Sequence, residues 1–114
     1  MIQSAAEFIR LRCSSDPEEY RRAAHEDAPD HVWQEVIDRH PEMRFWVAHN
    51  KTVPLWALKK LARDRDPRVR GMVAMKRKLP IEILKTMTDD VSATVAWTAR
   101  RQIERRDSRG CGGA

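Results

Sequence analysis

The chain has 114 residues, 41% of them hydrophobic and 34% charged, with a net charge of +5. A chain of that length buries roughly two-thirds of its unfolded surface, which bounds it to one modest core. Two cysteines (Cys13 and Cys111) are too few for a disulfide framework or a thiolate metal cluster, no apolar run approaches the ~18 residues of a membrane span, and one Tyr, two Phe and four Gly leave β signals weak.

Six prolines punctuate the chain: Pro17, Pro29, Pro41, Pro54, Pro67 and Pro80, at gaps of 12, 12, 13, 13 and 13 residues. Proline fits the first turn of a helix, where its missing N–H costs nothing. The spacing therefore predicts a succession of short helices. In Asp16-Pro17 and Asp66-Pro67 a carboxylate stands where it can cap the free N–H groups of the new helix.

The helices are expected in four pairs. The first covers 3–13 and 17–26, with Ala5, Phe8, Ile9 and Leu11 facing Tyr20, Ala23 and Ala24. Its start, MIQSAAEFIRLR, lacks the basic-then-apolar order of a secretory signal, so a reducing cytoplasm is the expected location. The second covers 29–39 and 41–50, with Val32, Trp33, Val36 and Ile37 against Met43, Trp46 and Val47. The third covers 54–64 and 67–76, with Leu55, Leu58, Leu61 and Ala62 against Val69, Met72 and Val73. The fourth covers 80–88 and 91–106, with Ile81, Leu84 and Met87 against Val95 and Ala99. These positions follow helical spacing. Residues 1–106 are expected as a single repeat domain, and 107–114, DSRGCGGA, as a disordered tail.

The phrase Val47-Ala48-x5-Pro54 returns as Val73-Ala74-x5-Pro80, and Leu55 with Ile81 and Leu58 with Leu84 keep the same 26-residue offset. No pair hides its apolar stripe alone, so the pairs are expected to stack. The expected fold is all-α: a short right-handed α-solenoid of four helical hairpins with a period of 25–26 residues.

The segment Leu61-Ala62-x-Asp64-x4-Val69-Arg70-x2-Val73-Ala74, followed by Pro80 and Leu84, resembles the leucine-rich repeat variant unit of the bacterial HEAT-like α-solenoids. The preceding copy, Met43-Arg44-x2-Val47-Ala48-x-Asn50 with Pro54 and Leu58, keeps the unit's Asn. Lys76 stands there in the third pair, and Ala96 replaces the Arg in the fourth. The resemblance covers residues 16–100 and implies a protein-binding scaffold. The cysteine-rich iron–sulfur segment of some members has no match here, so it implies no cofactor.

Asp38–Arg44 and Asp64–Arg70, each six residues apart, repeat at the same offset and are expected to buttress the turn within a pair. Asp90 keeps the carboxylate but faces Ala96, and is expected to lack an Arg partner. Of the four tryptophans, Trp33 and Trp46 fall on core stripes. Trp56 lies off its stripe beside Lys59, Lys60 and Arg63, and Trp97 lies in a column with Phe45 and Gly71. Tryptophan beside Arg or Lys is hot-spot chemistry at interfaces. The expected partner-binding residues are therefore Trp56, Lys59, Lys60, Arg63, Trp97, Arg100 and Arg101.

Charge is distributed unevenly. Residues 1–50 carry six basic and ten acidic side chains, leaving sixteen basic and seven acidic for 51–114. Further cations are Arg65, Arg68, Lys76, Arg77, Lys78, Arg105 and Arg106. Their plain role is a solvated surface; the sharper one is a track for a phosphate backbone. His25, His31, His40 and His49 have no metal-ligand spacing, and His25 and His49 stand where imidazole caps a helix end. With no Ser–His–Asp or Cys–His order and no Gly-rich phosphate loop, neither enzymatic activity nor a metal is expected. The expected function is protein–protein interaction with an acidic surface, as an adaptor or an immunity-type binder. Nucleic-acid backbone binding and head-to-tail self-assembly are the alternatives.

Overall fold

Among the described residues eight α-helices form, seven of them within a predicted span and the last running past its expected end at 106: α1 (Ala5–Cys13), α2 (Pro17–His25), α3 (Asp30–Arg39), α4 (Arg44–His49), α5 (Leu55–Leu61), α6 (Pro67–Ala74), α7 (Ile81–Met87) and α8 (Ala93–Gly113). A 3₁₀ turn at Pro41–Met43 leads into α4. This computed structural model describes residues 1–113, with side chains as far as Asp107, and no strand occurs among them. The tail expected over 107–114 lies, beyond Asp107, outside the fully described residues. No helix among the described residues is long and apolar enough to cross a membrane.

Proline starts these helices by two geometries. Pro17 and Pro67 sit in the first turn of α2 and α6, and the preceding Asp16 and Asp66 accept the backbone N–H of Glu18 and Arg68. Those are the caps expected from the Asp-Pro pairs. Pro29 and Pro80 stand one position earlier, as the N-caps of α3 and α7, with no side-chain cap.

Contacts group the chain into two units, Met1–Leu58 and the segment from Lys59 onward. In the first unit α1 packs on α2 and α3, and α4 packs on α3 and α2. Its core holds Ile2, Ala5, Phe8 and Leu11 with Val32, Trp33, Val36, Ile37, Met43 and Val47. The Phe8 ring meets Trp33 edge-on at 5.3 Å. The α1 stripe runs in steps of three, which leaves Ile9 only half-buried. Tyr20 departs from expectation: it is 44% exposed, and Ala23 is the buried residue of α2. A ring with a polar tip sits readily at such a rim, with its hydroxyl in water.

In the second unit α8 packs on both α6 and α7. Val69, Val73, Ala74, Leu84, Met87, Val95, Ala96 and Ala99 are buried there. Helix α5 spans the boundary between the units; Ala57 and Leu58, of the first, and Leu61, of the second, are buried, while Leu55 is 38% exposed. Leu55 stands about 60° around the helix from Leu58 but about 120° from Leu61 and about 160° from Ala57, which puts it at the edge of the buried face.

Two further core residues lie outside the helices. Val53 and Leu79, each just before a repeat proline, are 0% and 1% exposed. A residue before proline is held extended, and here that sends an apolar side chain inward.

Each unit also carries a polar latch. In the first, the fully buried Asn50 donates from Nδ2 to the carbonyls of Ala23 at 2.8 Å and Glu26 at 3.0 Å, and its Oδ1 accepts the Thr52 N–H at 2.7 Å. The end of α4 is thereby tied to the end of α2. In the second, Lys76 occupies the equivalent register. There Arg106 donates to the carbonyls of Leu79, Lys76 and Arg77 at 2.7, 3.2 and 3.1 Å.

Candidate functional site

Three of the expected contact residues come together in the second unit. Lys59 and Lys60 at the end of α5, and Arg63 just after it, are exposed and line a depression of about 760 Å³. Helix α7 supplies Glu82, Ile83 and Thr86, and Ala62 completes the lining. Ile83 and Ala62 are half-buried, so the floor is apolar and the rim cationic, with Glu82 the acid among the lining residues.

Trp97, Arg100 and Arg101 lie apart from that lining, on α8. Trp97 is 61% exposed, and the Arg101 guanidinium carbon stands 5.6 Å from its ring centroid. That pair is spaced by one helical turn. Arg101 also reaches Glu104 at 3.6 Å, and Arg100 donates to the Thr88 carbonyl at 3.1 Å. In the first unit, Trp56 is half-buried and its indole N–H donates to the Asp30 carboxylate at 3.0 Å. The polar edge of that ring therefore has an internal role.

The expected Asp/Arg pairs show a wider arrangement. Arg44 donates from Nε to the Ile37 carbonyl at 2.8 Å, and Asp38 accepts from Gln34 at 2.9 Å. Arg70 donates from Nη1 to the carbonyls of Asp64 at 2.8 Å and Arg65 at 3.1 Å. Each Arg thus reaches back across the turn to the main chain near the preceding helix end. Arg70 also corrects the expectation for Asp90. Its Nε and Nη2 grip both carboxylate oxygens of Asp90 at 2.8 Å each. Asp90 therefore has an Arg partner, supplied by the preceding copy of the repeat. Both side chains are nearly buried, at 12% and 10% exposure. The Arg70 hydrogen bonds hold the Asp90 carboxyl below its usual range, against the opposing effect of burial, and the Ser92 N–H assists. A bidentate charge-assisted pair is the strong kind.

Other cations of the basic half are also engaged. Arg68 pairs with Asp66 at 3.1 Å, and that hydrogen bond lowers the Asp66 pKa. Arg106, through its three carbonyls, belongs to the fold rather than to an open basic stripe.

The first unit contains a groove that the sequence does not announce. It measures about 730 Å³ and is lined by Pro17, Tyr20, Ala23 and Ala24 together with Arg12, Arg21, His25, Trp46 and His49. Trp46, expected to be core, is half-buried at its wall. The Arg12 guanidinium carbon lies 3.4 Å from the Trp46 ring centroid. Phe45 and His49 brace the same indole edge-on, at 4.8 and 5.5 Å. The available signal was the position of Trp46 between Met43 and Val47, at the edge of its apolar stripe. Comparisons with protein-family models, curated proteins and solved structures found no match.

Proposed function

We propose that the chain is a non-enzymatic interaction module that binds an acidic protein surface through Lys59, Lys60 and Arg63. One observation carries the reading: three exposed cations surround an apolar floor at Ile83. An acidic partner complements the charge of this rim while an apolar neighbour covers the floor. The net positive charge of the basic half steers such a partner into place. Trp97 with Arg101 offers a second exposed contact of hot-spot type. The 26-residue repeat and its resemblance to HEAT-like units extend the proposal to architecture. The helices pair as α1/α2, α3/α4, α5/α6 and α7/α8 in a short right-handed solenoid, working in a reducing cytoplasm.

A phosphate backbone is the less favoured ligand. Arg70 is held by Asp90, Arg100 by Thr88 and Arg106 by three carbonyls, so these cations do not form an open track. The test compares the wild-type chain with a Lys59→Glu/Lys60→Glu variant. Proteins captured from the native host are identified by mass spectrometry, and short duplex DNA is titrated in parallel over a range of salt. The expected result is one or more acidic proteins captured by wild type, with affinity about tenfold weaker in the variant. Unchanged capture would overturn the assignment. Duplex binding that falls steeply with salt would favour nucleic acid instead. Association with further copies of the chain would favour self-assembly.

A further inference from the structure

The groove in the first unit has its own chemistry. Arg12 lies in the last turn of α1 with its guanidinium stacked on Trp46, and its Nε is shielded from water with no hydrogen-bond partner. A buried donor without an acceptor carries a desolvation cost and calls for an explanation. Beyond that buried Nε, a guanidinium stacked on an indole directs its terminal Nη donors in its own plane as a flat fork, the geometry that matches a carboxylate. Phe45 and His49 clamp the indole, so the fork is oriented before any ligand arrives. The ionisable groups lining the groove are Arg12, Arg21, His25 and His49, with the Tyr20 phenol, against the single carboxylate of Glu18. That is a cationic pocket in the half of the chain with an acidic balance. Tyr20, Pro17 and Ala23 supply apolar walls, and about 730 Å³ suits a small organic ligand.

We propose that this groove binds a small organic carboxylate: an oxyanion held by Arg12 on an apolar body resting against Tyr20 and Trp46. The site is separate from the cationic shelf of the second unit and does not depend on that reading. Specificity follows from the two halves together. Charge at Arg12 selects the anion, and the walls select the apolar body over a bare carboxylate.

The test is a titration followed by amide resonances of residues 20–25 and 46–49, using phenylbutanoate, phenylbutylamine, acetate and inorganic phosphate as probes. Phenylbutanoate is expected to shift those resonances saturably, phenylbutylamine to leave them in place, and acetate to bind about tenfold or more weakly. Arg12→Gln is expected to weaken phenylbutanoate about tenfold, by loss of a charge-assisted pair. The four-probe comparison on the wild-type chain stands even if that variant folds poorly. Equal binding of the amine, tighter binding of inorganic phosphate, or no shift with any probe would overturn the proposal.

Discussion

Asp90→Asn tests the buried clamp between α6 and the turn before α8. The substitution keeps the shape of the side chain and one oxygen for the Ser92 N–H. It removes the charge from a bidentate pair whose members are only 12% and 10% exposed. Arg70 then remains nearly buried, with its positive charge facing a neutral amide and two main-chain carbonyls. Removing one partner of a buried ion pair costs about 3–5 kcal/mol. The retained carbonyl bonds place the expected loss near the lower end, about 3 kcal/mol. Urea unfolding at neutral pH, followed by circular dichroism, reads this difference directly. The same comparison in acid supplies the sign. The folded-state pKa of Asp90 is lowered, chiefly by the Arg70 hydrogen bonds. Its contribution is therefore fully present above the unfolded value of about 3.9 and is lost as pH falls through the folded value. The gap between wild type and Asp90→Asn should narrow on acidification. A gap below about 1 kcal/mol at neutral pH, or one that does not narrow, would refute the clamp as a stabilising element. Replacing both partners by apolar residues, Arg70→Met with Asp90→Leu, should cost much less than either single change, because no charge is then left buried.

Three further outcomes follow from the same geometry. Asn50→Ala should lose about 2–4 kcal/mol in urea unfolding, because the carbonyls of Ala23 and Glu26 and the Thr52 N–H lose a buried partner; a loss under about 1 kcal/mol would show that water replaces the side chain. Asp66→Ala should lose about 1 kcal/mol through the missing cap on α6, with little added by its ion pair, since Arg68 is 83% exposed. Trp97→Ala should change stability by no more than about 0.5 kcal/mol, since the ring is 61% exposed, while reducing capture of the proposed acidic partner. A large stability loss there would move Trp97 from contact surface to core.

The helices were legible in the sequence because their signals act locally. An Asp-Pro pair such as Asp16-Pro17 or Asp66-Pro67 carries both the cap and the break within two residues. Helical periodicity identified the buried faces of α3 and α8, where Val32, Trp33, Val36 and Ile37, and Val95 and Ala99, all lie inside. It failed at Leu55, where one extra leucine matched the pattern but stands at the edge of the buried face, and at Tyr20, where composition said little about a rim. Val53 and Leu79 lie between helices, where helical periodicity carries no signal, and only their shared place before a repeat proline marks them.

The clustering of Lys59, Lys60 and Arg63 could be read from one short stretch, since a helix end and the turn after it place neighbours together. Their apolar floor at Ile83 could not, because it depends on where α7 lies. The same division separates the rest of the molecule. Proline placement, apolar spacing and charge balance by themselves determined the helix starts, most buried stripes and the basic character of the second half, all short-range properties of the chain. Only tertiary structure decided that Arg70 holds Asp90 across 20 residues, that Trp56 bonds Asp30 across 26, and that Arg12 lies on Trp46. Periodicity tells a helix which face to bury; which polar side chains then meet depends on distances between helices, and those exist only once the chain has folded.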